Sequence, residues 1–209
     1  MTLSKHACSS IVVCALIASV PGASAHQADA APAARGASTN GLRAGIAAIN
    51  PGPQSPTAAA FRIELQNTGP SDFVLNLGYM LANGKFMIPS ALRLLLTDAA
   101  GARRELHYVD RQHAAIAGRM DDYIVALRNG ATYSMDVSLA TYVSPATKEH
   151  TLTLPAGRYR IVARFSGQGA ATSNLDMTGV PLLNFWKGSV DSGVLDFAVA
   201  GGADDQRRR

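Results

Sequence analysis

Cysteine is nearly missing from this chain. Its 209 residues include two, Cys8 and Cys14, and both fall within the first 25. In that stretch Lys5 and His6 form a basic head, residues 11–20 an apolar run, and Pro21-Gly22 a break. Ala23-Ser24-Ala25 then supplies the small residues that a signal peptidase accepts. The pattern predicts a secretory signal over residues 1–25, cleaved before His26. The apolar run is about half of the roughly 20 residues needed to span a bilayer, so no transmembrane anchor is expected after cleavage. Ile11-Val12-Val13 lack the small residues expected before a lipidated cysteine. The mature chain is therefore expected in the periplasm or outside the cell, with no thiol, disulfide or cysteine metal ligand. Its stability must come from packing. Residues 41–199 are enough for that, since a domain of this size buries about 70% of its unfolded surface.

Catalytic motifs are also lacking. Neither Gly-x-Ser-x-Gly nor Ser-x-x-Lys occurs, so the nucleophile-elbow and Ser-Lys designs have no residues to carry them. The histidines after the signal are His26, His107, His113 and His150, and none sits in His-Glu-x-x-His or another close metal pattern. No glycine-rich phosphate loop, interleaved basic and aromatic stripe or long amphipathic helix appears. No cofactor and no nucleic-acid partner is expected.

The charge follows the same theme. The chain has 19 Lys and Arg against 15 Asp and Glu. Lys5 and the terminal Arg207, Arg208 and Arg209 equal that excess in number, and the rest of the sequence balances at 15 against 15. A nucleic-acid footprint needs basic residues clustered on one face. Gly201-Gly202-Ala203-Asp204-Asp205 ahead of the three arginines makes residues 200–209 a flexible basic tail. Residues 26–40 are rich in Ala, Pro and Gly and read as a disordered linker.

What the chain does have is alternation. Phe61, Ile63 and Leu65 alternate with Arg62, Glu64 and Gln66, the period of a half-buried strand. Similar runs cover residues 73–79, 92–96, 133–139, 159–165 and 195–199, with further strands expected at 41–49, 105–109 and 123–127. Asn50-Pro51-Gly52-Pro53-Gln54-Ser55-Pro56 is a loop, because its prolines fix φ and remove donors. Asn83-Gly84 is a tight-turn signal. The expectation is an all-β antiparallel β-sandwich of about eight or nine strands over residues 41–199.

Four segments carry a resemblance. Glu64-Leu65-Gln66-Asn67-Thr68-Gly69, Leu96-Thr97-Asp98-Ala99-Ala100-Gly101, Leu127-Arg128-Asn129-Gly130 and Leu154-Pro155-Ala156-Gly157-Arg158-Tyr159-Arg160 resemble turn-and-strand units of immunoglobulin-like modules of bacterial secreted proteins. The layout is also similar to that of small proteinase-inhibitor sandwiches. The resemblance spans most of residues 58–199 and implies a fold more than a function. It leaves three readings. One is a non-catalytic module binding a protein or a surface glycan. Another is a proteinase inhibitor presenting residues 140–149 or 166–182. The third is a hydrolase with dispersed Asp and His residues.

The candidate contact residues are Phe185, Trp186, Lys187, Arg119 and Asp121. Trp186 is the only tryptophan, suited either to plugging a core or to anchoring a partner. If its segment is a strand, Phe185 points the other way and one of the two rings is exposed. Asp121-Asp122 is the most unusual polar pair. Adjacent carboxylates ligate calcium or bond local backbone, and share a site only if they lie in a loop. Asp121 and Asp122 with a histidine, and His107 and His113 with Asp110, are the hydrolytic alternatives.

Overall fold

The computed structural model describes residues 32–81, 84–109, 119–147, 151–170 and 183–200. The expected signal and residues 201–209 of the expected tail lie outside them, as do Asn83, Asp110, His113 and His150. Thirteen strands follow in order. They are β1 (Ala34–Arg35), β2 (Leu42–Ala48), β3 (Ala60–Asn67), β4 (Phe73–Leu81), β5 (Phe86–Ile88), β6 (Leu92–Asp98), β7 (Arg103–Tyr108), β8 (Met120–Leu127), β9 (Thr132–Ser138), β10 (Tyr142–Val143), β11 (Gly157–Gly167), β12 (Gly188–Asp191) and β13 (Leu195–Val199). The nine strands of five residues or more fall on the nine stretches expected, six of which show alternation in sequence. The four extra strands have two to four residues, too short to show a period.

The strands form three antiparallel sheets, in the orders β1-β2-β3-β9, β10-β7-β6-β11-β12 and β5-β4-β8. β13 shares one edge of β11 with β12: Tyr159 pairs with Phe197, and Phe165 with Val190. β6 takes the other edge of β11. The inner faces of all three sheets meet in one core. Phe61, Ile63 and Leu65 come from the first sheet, Leu92, Leu94 and Phe165 from the second, and Leu75 and Leu77 from the third. The fold is an all-β sandwich with open sheets. Ala34–Arg35 lie within the stretch expected to be a linker, yet they pair with Ile46 and Gly45 at the edge of the first sheet. Pairing there satisfies an edge that β2 otherwise leaves open.

Two joints hold the sheets together. The first is Asn67, a fully buried polar residue. Its amide nitrogen donates to the carbonyls of Leu127 (3.0 Å) and Ser71 (2.9 Å), and its side-chain oxygen accepts from Gly69 N–H (2.9 Å). Its backbone bonds Ala131 and Gly130, so one residue ties the end of β3 to the β8–β9 turn. The second joint is the break between β12 and β13. Ser192 N–H donates to Ala163 O (2.8 Å), and Ser192 Oγ accepts from Ala163 N–H (2.9 Å), so a hydroxyl replaces a ladder carbonyl. Gly193 N–H is thereby turned outward and donates to Ala34 O (3.0 Å). A Cβ on Gly193 would lie 2.8 Å from the Ala34 carbonyl carbon, so only glycine permits this approach.

Asn67→Ala should destabilise the domain by about 2–4 kcal/mol, because it removes a buried amide that donates to Leu127 O and Ser71 O and accepts from Gly69 N–H, leaving Gly69 N–H only its bond to Gly41 O. Urea denaturation of the two proteins measures this. Asn67→Asp should be at least as costly at neutral pH and should recover part of the loss on acidification, since the protonated carboxyl regains one donor.

Tyr142 is fully buried, and its hydroxyl has no hydrogen-bond partner among the described residues. Burial pushes its phenol well above the ordinary tyrosine range. The native state therefore holds Tyr142 protonated, while the unfolded chain ionises near pH 10. The sign follows: stability is full below that pH and falls above it, by up to about 1.4 kcal/mol per pH unit for this one group. Denaturation curves between pH 9 and 11 should show the decline. Tyr142→Phe should shallow it and cost little at neutral pH.

Candidate functional site

Among the described residues, a concavity lies where the first and second sheets part. Its volume is about 600 Å³. One wall is the loop after β2, from Asn50 to Gln54, with Ala59 and Ala60 entering β3. The opposite wall is β13 from Leu195 to Ala198, and Arg158 stands at the rim. Phe61 on the floor meets Phe197 edge-on, with ring centroids 5.3 Å apart, and Phe197 lies 5.6 Å from Tyr159. Pro51 and Pro53 stiffen the loop wall, because each locks its own φ. Gln54 pins that wall to β13. Its N–H donates to Ala198 O (3.2 Å), and its carbonyl accepts from Ala200 N–H (2.9 Å). Gln54 Nε2 also returns to Asn50 O, closing the loop on itself. The result is an apolar cleft with stiff walls and a charged rim formed by Arg158 and Asp196. Such a lining binds apolar groups by excluding water. In sequence, Phe61, Tyr159 and Phe197 sit on apolar faces of expected strands, and residues 50–56 are a plain loop. The run of prolines was the one signal of a built wall.

The candidate residues fall elsewhere and divide into two groups. Phe185 and Trp186 are both buried, at 9% and 4% exposure. The expected exposure of one ring does not occur, because the segment is not a regular strand. It makes a single bridge to β4, with Val74 N–H donating to Asn184 O and Trp186 N–H to Val74 O. Without strand alternation both rings turn inward. Trp186 stacks 5.6 Å from Phe165, and its indole N–H donates to Asn40 O (3.1 Å). Lys187 is exposed beside them.

Arg119 and Asp121 lie at the start of β8, with Arg119 Nε donating to Asp121 Oδ1 (2.8 Å). Asp121 and Asp122 are successive residues of that strand, so their side chains take opposite faces and do not share a site. Asp122 is buried, and its Oδ1 accepts from Asn76 Nδ2 (3.0 Å). The same nitrogen donates to Gly169 O, and Asn76 Oδ1 accepts from Gly78 N–H (3.0 Å). This network braces the bulge in β4 between Asn76 and Gly78. His107 is on β7 in a different sheet, bonded to Glu105 (2.9 Å). Among the described residues, no three His, Cys, Asp or Glu side chains are grouped closely enough to hold a metal ion. No helix among them is long and apolar enough to cross a membrane.

Of the two stretches considered as inhibitory loops, residues 140–147 are described, and they are anchored. Tyr142 and Ser144 are buried, and Tyr142–Val143 pairs with Tyr108–His107. Residues 171–182 of the other stretch lie outside the described residues. The outer face of the second sheet carries Arg158, Arg160 and Arg164 in a row along β11, with Arg93 beside Arg164 across the ladder. Asp191 neutralises one of them through two 2.7 Å bonds from Arg164, which raise the guanidinium pKa further.

Trp186→Ala should lower stability by about 3–5 kcal/mol through cavity formation. Trp186→Phe should cost less, leaving mainly the lost bond to Asn40 O. Thermal or urea unfolding separates the two, and a Trp186→Ala variant as stable as the parent would place this ring outside the core. No family model and no curated protein matches the chain.

Proposed function

We propose that the chain is an exported, non-catalytic, immunoglobulin-like β-sandwich module that binds a protein partner through the cleft between the Asn50–Gln54 wall and β13. The observation that carries this reading is the cleft: about 600 Å³, floored by Phe61 and Phe197 and stiffened by two prolines. A volume of that size, lined mainly by apolar groups with a few polar ones at the edge, is characteristic of binding sites. The lining favours a protein side chain over a surface glycan, because a sugar needs several hydrogen-bonding groups and the floor offers hydrocarbon. It also favours binding over hydrolysis, since the charged groups at the cleft are Arg158 and Asp196 at the rim. Within the described part of residues 140–149, Tyr142–Val143 is held in a ladder with β7, which gives the inhibitor reading no support there.

The chain from His26 to Arg209, immobilised, should retain a protein from the envelope or secreted fraction of its source. Ala48 lines the cleft and pairs with Phe61 across the ladder. Ala48→Phe should fill the cleft and cut retention at least tenfold, with an unchanged unfolding midpoint. Equal retention by both proteins, or none by the parent, would overturn this reading.

A further inference from the structure

The wall formed by β13 has a property that apolar lining alone does not supply. Ala198 O accepts from Gln54 N–H, and Ala200 N–H donates to Gln54 O, so the backbone groups of Ala198 point away from β11. In an antiparallel pair the direction of the backbone groups repeats every second residue. The N–H and C=O of Asp196 therefore point the same way, along the mouth of the cleft. Among the described residues, the Asp196 N–H, the Asp196 C=O and the Ala198 N–H have no hydrogen-bond partner. Three strand-forming groups thus stand in line beside an apolar groove, and Gln54 already continues that line in parallel at Val199.

We infer that the partner enters as an extended segment that adds a strand to the free edge of β13. This rests on the cleft being the binding site and specifies how it is filled. The added strand bonds Asp196 N–H, Asp196 C=O and Ala198 N–H. Its alternate side chains then drop toward Phe61, Phe197 and Ala48, which select small or medium apolar groups. The intervening side chains lie on the outer face beside Asp196, so a basic or neutral residue suits that position and an acidic one does not. A compact apolar ligand would use the floor and leave the three backbone groups unpaired. A second copy of this chain is the poorer occupant, because self-pairing centred on Asp196 sets two carboxylates opposite each other. Asp196 acts here as edge strands commonly do, discouraging indiscriminate pairing while leaving the edge open to a complementary sequence.

The probe is a displayed library of random twelve-residue peptides, selected on the full chain from His26 to Arg209. Enriched peptides should alternate apolar residues with polar, non-acidic ones. A synthetic copy of the best should slow amide hydrogen exchange at Asp196 and Ala198 at least tenfold. N-methylation of its edge-facing amides should weaken binding at least tenfold. Ala198→Pro removes only an outward N–H and should also cost tenfold or more, because proline is tolerated on a free edge yet blocks a strand. Ala48→Phe should abolish binding.

The failures are distinguishable. Binding lost with Ala48→Phe but indifferent to N-methylation and Ala198→Pro, with exchange unchanged, would keep the cleft and overturn strand addition. Peptides insensitive to Ala48→Phe, or no enrichment, would overturn the cleft itself. Self-association abolished by Ala198→Pro would assign the edge to a second copy and overturn the peptide partner.

Discussion

One break in a strand sets the arrangement of the whole sandwich. β11 is the longest strand, and its free edge needs a partner along its entire length. β12 and β13 supply it in two pieces, and Ser192 bridges the gap by lending its hydroxyl to Ala163 N–H. That substitution of a side-chain oxygen for a carbonyl frees the backbone at Gly193 to bond Ala34. The first sheet is thereby tied to the second, and β13 is carried on toward the loop after β2. Both walls of the cleft depend on this. β13 forms one wall directly, and it holds the other through Gln54.

Asn67 is the matching joint at the opposite side of β3. Both joints are buried polar residues whose side-chain groups are used on backbone atoms. A chain without cysteine in its folded body has no covalent staple, so junctions between sheets must be specified by hydrogen bonds. Apolar packing is non-directional and holds the sheets together without fixing their register. Buried amides and hydroxyls add the direction, because an unpaired alternative is costly.

Strand alternation was legible where it ran for five residues or more. β3, β6, β9 and β11 each show it in plain sequence, since one face of each is buried and the other is not. β1, β5, β10 and β12 escaped because two to four residues cannot display a period. The expectation for Phe185 and Trp186 failed for a related reason. It assumed strand geometry, and the segment makes one bridge before leaving the sheet. Asp121 and Asp122 show the converse: once they lie on β8, the two-residue period alone keeps their side chains apart.

The sequence by itself determined the class of fold and the positions of the long strands, because apolar alternation is a local property read within a few residues. It also determined that disulfides take no part in the folded body, since both cysteines precede His26. Only the tertiary structure decided where the cleft lies. Phe61, Tyr159 and Phe197 are far apart in the chain and each looks like ordinary core. They become a cleft because two sheets part above them. That Asp196 on β13 has no backbone partner among the described residues is likewise invisible locally, since whether a backbone N–H is paired depends on which strand, if any, lies beside it.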